Sequence, residues 1–397
     1  MQIIEVNTAA LEKTFLNMVN TIYASDKNYI RPLDIMIQDT FNPLKNNLLL
    51  NGYAVRYIVV RDQKCVGRVA AFINPKKAFG FEQPTGGIGF FECENNQEAA
   101  NLLFDASKKW LQNKGMEAMD GPINFGENDN FWGCLIEGFT PPAFGMAYNP
   151  NYYQNLFESY GFAAYYNQIT NHLDLSKEFP ERFWRISERI ISKPGLTFKH
   201  FTWKDSDRFI DNFIEIYNDA WQFHENFTPI QKSSIKNLIE KTRSFLMPEL
   251  IWYAYFNDEP IGFLVMFPDA NQIIKHLHGK LNWWAKLKFV YYRQTKAMTR
   301  TRVTVFGIKT HFQRMGIESG IFHQLRDVVK RNPQFTEMEL SWVGDFNPKM
   351  RALLEAMGAS LGKKHITYRI LFNQKQVARS AIIPTNSKQL GKNQDNN

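Results

Sequence analysis

Cysteine is scarce in this chain: three in 397 residues, at Cys65, Cys93 and Cys134, with no CxxC spacing. That excludes a disulfide framework, and the expectation is buried structural thiols. No run of 18 apolar residues occurs, which excludes a membrane-spanning helix. The opening Met-Gln-Ile-Ile-Glu has neither the basic nor the apolar region of a secretory signal, so a cytoplasmic location is expected. Of eight histidines only His276 and His278 stand close together, without a cysteine or carboxylate partner, and no metal is expected. The last deficit is local. Between Asp269 and Glu318 lie ten Lys or Arg residues and no acid, in a chain whose net charge is only +8. Such a block implies an anionic partner: a phosphate-bearing cofactor, a membrane surface or nucleic acid.

What is present is enough to fill two α/β cores, with 44% apolar and 22% charged residues. The aromatic content, 33 Phe, 16 Tyr and 9 Trp, points to large cores or to an apolar ligand groove. Two patterns occur twice. YAVRYIVVRDQKCVGRVAAFIN (53–74) reads as a β-hairpin with a turn at Asp62-Gln63, and LIWYAYFNDEPIGFLVMFPD (250–269) repeats it with a turn at Asn257-Asp258. NPNYYQNLFESYGF (149–162) and NPKMRALLEAMGA (347–359) each read as a short helix opened by Asn-Pro and closed by glycine. Gly67 and Gly262 are 195 residues apart, Gly161 and Gly358 are 197 apart, and the order agrees. A duplicated domain follows. The expected division is 1–175, a helical connector at 176–195, a second copy at 196–372, and a disordered polar tail at 373–397.

In the second copy the sequence predicts a strand at 302–310 and a helix from about Gly316 to Arg331, with further strands at 335–343 and 363–372. A strand-to-helix turn leaves backbone N–H groups aimed at one point, and a pyrophosphate can dock there, reinforced by Arg314 and Lys309; an ordinary turn with no ligand is the alternative. Gln313-Arg314-Met315-Gly316-Ile317-Glu318 resembles the Gln/Arg-x-x-Gly-x-Gly/Ala signature of GNAT acyltransferases. Glu318 stands where that family has Gly or Ala. The first copy has Glu92-Cys93-Glu94-Asn95-Asn96-Gln97 at the equivalent place, acidic and without glycine, and is expected to bind no CoA.

Beyond the superfamily, the chain up to about residue 372 resembles the bacterial ceramide-synthase-like acyltransferases. The resemblance is carried by GPINFGENDNFWGCLIEGFTPPAFGMAYNPNYYQNLFESYGF (121–162), YNDAWQFHENFTP (217–229) and MELSWVGDFNPKM (338–350). It implies an α/β chain of two tandem GNAT-like domains, each a mixed, mostly antiparallel sheet flanked by helices. It also implies acyl-CoA as co-substrate, with contacts at Ile308, Gln313, Arg314, Met315, Gly316, Ile317 and Ser319. The implied reaction moves a fatty acyl group from CoA to an amine, with a sphingoid base as the lipid candidate.

Amide formation from a thioester needs a deprotonated amine and a stabilised carbonyl oxygen. Glu339, on the strand after the phosphate helix, is one candidate base, with an outward-facing strand glutamate as the alternative. His224 is the other, against a plain hydrogen-bonded histidine. Asn218, Trp221, Asn347 and Trp284 are candidate substrate contacts, although Asn347 before Pro348 also suits a helix cap. Many GNAT enzymes carry a tyrosine that protonates the leaving thiolate; the matching position is Leu354, and Ser341, Asp345 and Tyr368 are the substitutes considered.

The segment 270–300 places Ile273, Leu277, Leu281, Trp284, Leu287 and Tyr291 at helical spacing among basic residues. A peripheral membrane helix and a core-packed helix with a solvated basic face both fit. No nucleic-acid motif accompanies this block. Two other functions stay open: acetyl transfer to a small or peptidyl amine, and a non-catalytic lipid- or protein-binding module.

Overall fold

The computed structural model describes residues 1–49, 51–124, 131–222, 229–345 and 347–373. The tail expected beyond residue 373 and the candidate base His224 lie outside them. By contact the described chain forms two compact units, and neither is a continuous stretch of sequence. The first holds Met1–Ile169, Ile273–Tyr291 and, from the described C-terminal end, 363–373; the second holds Thr170–Gln272 and Tyr292–Gly362. The contact grouping differs from the linear division at 1–175, 176–195 and 196–372: residues 170–195 group with the second unit. Most of the basic insertion and the final strand pack with the first unit rather than the second.

The strands are β1 (Gln2–Glu5), β2 (Tyr53–Arg61), β3 (Lys64–Ile73), β4 (Thr85–Cys93), β5 (Ala118–Gly121), β6 (Cys134–Glu137) and β7 (Ala163–Asp174), followed by β8 (Leu196–His200), β9 (Ile251–Phe256), β10 (Glu259–Pro268), β11 (Arg300–Ile308), β12 (Glu337–Gly344) and β13 (Ser360–Leu371). In the first unit β1, β2, β3 and β4 pair antiparallel in order, β5 joins β4 in parallel, and β13 pairs antiparallel with β5 and β6. In the second, β8, β9, β10 and β11 pair antiparallel in order and β12 joins β11 in parallel. Within each unit the pairing is thus mixed and largely antiparallel, with its parallel pair linked across a helix, Gln97–Gln112 or Ile317–Arg331.

The hairpin turns form where the sequence puts them. Asp62, Gln63, Asn257 and Asp258 all have positive φ, between 48° and 65°. Two consecutive left-handed residues match the twist of the flanking strands, and Asn and Asp tolerate that conformation better than most residues. Gly161 and Gly358 end their helices at φ 108° and 87°, as glycine permits.

Helices cover both faces of each sheet. The Gln97–Gln112 helix buries Ala99, Ala100, Leu103, Phe104 and Leu111, one stripe at helical spacing, against Val59, Val69 and Ile88. On the opposite face Phe15 and Leu16 of the Ala9–Asn17 helix meet Ile58, Ala70 and Phe90. In the second unit β10 sends Leu264 and Met266 towards the Ile317–Arg331 helix, and Phe263 and Val265 towards the Ser206–Trp221 helix. Burial on both faces explains the unbroken apolar run in that strand. Most of the aromatic content goes into these cores. Cys93 and Cys134 are buried, and burial pushes the Cys93 thiol up to about 12, whereas Cys65 is only half-buried.

The final strand is secured by charge as well as by its ladder. Arg369 on β13 faces Asp120 on β5, with Nε 2.6 Å from Oδ1 and Nη2 2.7 Å from Oδ2. The guanidinium also lies 3.6 Å from the ring centre of Tyr165. Breaking such a buried pair strands a charge in the core. Asp120→Ala should lower unfolding stability by about 3–5 kcal/mol, read from the shift of the urea denaturation midpoint.

Candidate active site

The parallel ladder in the second unit is short. Its register runs from Arg300↔Glu337 to Val303↔Leu340, yet β11 continues to Ile308 and β12 to Gly344. Beyond Val303 and Leu340 the two strands separate. Thr304, Val305 and Phe306 on one edge and Ser341 and Trp342 on the other are only half-buried. A wedge results, with strand-edge N–H and C=O groups facing its opening, where a ligand backbone can pair with them.

The closed end is fixed by ions. Arg300 places Nε 3.0 Å and Nη2 2.7 Å from Asp269 Oδ2, and Nη1 3.6 Å from Glu339 Oε2. All three residues are buried. Glu339 therefore does not face outward as the alternation allowed. It lies in the paired stretch opposite Arg302 and is 2% exposed.

At the open end β11 runs into the turn before the Ile317–Arg331 helix. Lys309 Nζ lies 2.5 Å from Glu215 and 2.8 Å from Glu259, so it is committed to carboxylates instead of reinforcing an anion site. The Thr310 amide donates to Asp219 at 2.5 Å. Gln313 donates from Nε2 to the Ile308 carbonyl at 3.2 Å. Arg314 and Gly316 adopt left-handed conformations at φ 69° and 79°. The first turn of the following helix carries N–H groups with no intrahelical acceptor, which with the helix dipole favour an anion. Ile308, Ile317 and Ser319 are buried and support the turn from within, Ser319 Oγ donating to the Gly316 carbonyl at 2.7 Å. Gln313, Arg314 and Met315 are exposed beside it.

Glu318 is the exception. Its carboxylate accepts from its own backbone N–H at the helix start, and burial pushes its pKa above the ordinary carboxylate range. The residues present fit a phosphate group, apart from this one competing carboxylate.

The remaining candidates divide. Trp221 packs on the open end of β11: a Cβ on Gly307 would lie 2.5 Å from its ring. Asn218 accepts from the Ile230 amide at 3.1 Å, and Asn347 caps its helix, accepting from Met350 N at 3.2 Å. Trp284 belongs to the first unit and is 67% exposed. Leu354 is a core residue. Of the three groups weighed for the leaving thiolate, only Ser341 lies on the separated edge. Tyr368 belongs to the first unit, where its hydroxyl donates to Glu158 at 2.9 Å.

One cluster was missed. In the first unit Glu92 is the penultimate residue of β4 rather than part of a turn, and it is buried. Tyr23 and Tyr153 donate to its Oε2 at 2.7 and 2.8 Å, and Arg68 lies 3.5 Å from Oε1. Burial raises its pKa, with Arg68 and the two hydroxyls opposing. Tyr23 also lines a cavity of about 910 Å³, together with Tyr29, Arg31 and Lys280. These residues are far apart in the sequence, and no motif announces them.

Among the described residues no group of three or more His, Cys, Asp or Glu could hold a metal, and no helix is long and apolar enough to cross a membrane. No protein-family model matches the sequence. Two curated proteins are similar along almost the whole chain. One is the bacterial ceramide synthase of Caulobacter vibrioides, 27% identical, covering 93% of this chain and 96% of that protein. The other is protein YghO of Escherichia coli, 24% identical over 90% and 92%. Among solved structures, a tandem GNAT protein from the clavulanic acid biosynthesis pathway superposes with a TM-score of 0.57 at 9% identity, over 94% of this chain and 99% of its own. A GCN5-related N-acetyltransferase from Sphaerobacter thermophilus gives 0.53 at 12%, over 97% and 98%. The separated parallel pair, the glycine turn and these superpositions agree: the chain has the fold of the GNAT acyltransferase superfamily.

Proposed function

We propose that the protein is an acyl-CoA-dependent N-acyltransferase that joins a fatty acyl group to the amine of a sphingoid base. The observation that carries this reading is the wedge between β11 and β12, opening beside the Gly316 turn. Similarity at full length to a ceramide synthase supports the choice of acceptor. The repeated order of hairpin, strand, helix and parallel strand in both halves supports a tandem GNAT-like design. We place the reaction on the cytoplasmic side, where acyl-CoA is available.

In this reading the turn at Gln313, Arg314, Met315 and Gly316 holds the CoA pyrophosphate. The pantetheine arm extends along the edge of β11, and a strand N–H donates to the thioester oxygen as negative charge develops there. The neutral amine attacks the carbonyl carbon, its proton passes to a base, and the C–S bond breaks to release the CoA thiol. Ser341, half-buried on the separated edge of β12, is proposed to give the leaving sulfur a hydrogen bond. With Glu339 committed to Arg300, His224 is the first candidate for the base. Trp221 forms part of the acceptor wall.

Thiol release by the purified protein tests this directly. Release from palmitoyl-CoA should depend on an added sphingoid base, and His224→Ala should slow it by roughly 10²–10⁴-fold. Glu339→Gln should instead lower the denaturation midpoint. A Glu339→Gln variant of unchanged stability but without turnover would return the base role to that residue. Release that depends on a small amine and acetyl-CoA alone would replace the lipid reading. Absence of both thiol release and CoA binding would leave a binding module on a GNAT scaffold.

Glu318 gives a separate prediction. A carboxylate at the docking point repels a pyrophosphate, and its raised pKa means the repulsion weakens as pH falls and the group takes a proton. Glu318→Gln should tighten CoA binding by roughly two- to fivefold at neutral pH. The wild-type advantage of lower pH should shrink in that variant. Calorimetric titration with CoA reads both, and an unchanged affinity would place the pyrophosphate elsewhere.

A further inference from the structure

Folding pairs or buries part of the ten-cation block. Arg300 is paired with Asp269, Arg302 is buried, and Lys309 is held by Glu215 and Glu259. Six of the ten, Lys275, Lys280, Lys286, Lys288, Arg293 and Lys296, fall between residues 275 and 296. They surround the helix Trp283–Gln294, where Ala285 alone is fully buried.

That helix faces outward with its largest apolar groups. Trp283, Trp284, Leu287, Val290 and Tyr291 are between 45% and 67% exposed. At 3.6 residues per turn they fall within one arc of about 120°. Ala285, Phe289 and Tyr292 occupy the opposite side and are buried or half-buried. Lys286 and Arg293 border one edge of the exposed arc, and Lys288 borders the other. The two indoles lie edge to face, with ring centres 4.7 Å apart. Leu281, just before the helix, is 45% exposed and extends the apolar strip.

We propose that this face docks the protein on the surface of an anionic lipid bilayer, with the indoles and aliphatic groups in the interface and the cations among the headgroups. Tryptophan at the boundary between hydrocarbon and headgroups, rimmed by Lys and Arg, is the chemistry that suits such a surface. A second copy of the chain fits poorly, because two-fold pairing through this helix would set one basic rim against another. The inference stands on the exposed face and its charge, and holds whichever amine the protein acylates.

Sedimentation of the full-length protein with vesicles tests it. Binding to phosphatidylcholine mixed with phosphatidylglycerol should exceed binding to phosphatidylcholine alone by roughly tenfold, and should weaken as salt rises. Trp283→Ser with Trp284→Ser and Leu287→Ser should abolish it, with the circular dichroism spectrum and melting midpoint unchanged because these side chains support no core. Lys286→Glu with Lys288→Glu and Arg293→Glu should remove the preference for the charged lipid. Wild-type protein that stays in solution with the anionic vesicles overturns the proposal. So does equal vesicle binding by the serine variant, or a solution dimer that the serine substitutions dissolve.

Discussion

Where β11 parts from β12 beyond Val303 and Leu340, each strand edge is left with polar backbone groups that its partner no longer satisfies. Such groups cost free energy unless water or a ligand meets them. A wedge of this kind persists only if both ends are restrained, and the structure restrains them differently. At the closed end Asp269, just past the end of β10, forms a buried ionic cluster with Arg300 on β11 and Glu339 on β12. At the open end Trp221 fills the space over Gly307, while Glu215, Asp219 and Glu259 hold Lys309 and Thr310. The chemistry proposed for the wedge depends on those restraints, because a thioester and an amine react quickly only when held in register.

The first unit repeats the strand order but changes the chemistry at the corresponding turn. Its helix begins at Asn96, whose side chain accepts from the Ala99 amide at 2.9 Å and so occupies the helix N-terminus itself. Glu94 and Glu92 precede it, and Glu92 is drawn into the core by two tyrosine hydroxyls and Arg68. Glycine at Gly316 in the second unit leaves the same place free of a side-chain cap. The proposed anion site therefore belongs to the second unit, where Glu318 alone competes for it, whereas the corresponding helix start of the first unit is occupied by Asn96.

The local rules were legible. The hairpin turns at Asp62-Gln63 and Asn257-Asp258, the Asn347 cap and the glycine helix ends all follow from φ preferences and short-range hydrogen bonds. The long-range ones were not. Asp120 and Arg369 are 249 residues apart, and nothing in either neighbourhood says that β13 completes the first unit's sheet. Strand alternation gives Glu337 and Glu339 the same face but does not say which face is covered, so Arg300 as a buried partner could not be read. The Glu92 cluster draws on four separate segments for the same reason.

Periodicity fails in a further way at the Trp283–Gln294 helix. Ile273 and Leu277, earlier in the same pattern, are buried, whereas Leu281, Trp284 and Leu287 are exposed. A period of 3.6 fixes which residues share a stripe and leaves open whether a core or a solvent boundary covers it. The helix has two apolar stripes, and only the inner one is satisfied by the protein. Near an anionic surface each Lys or Arg contributes about 1 kcal/mol, so the three rim cations and a shallow aromatic strip suit the proposed attachment, one that salt can reverse. Reversible docking suits the lipid-amine acceptor proposed for this enzyme. Each methylene drawn out of the bilayer costs about 0.8 kcal/mol until an apolar groove replaces its surroundings, and an enzyme already seated at the interface need not lift the chain through water.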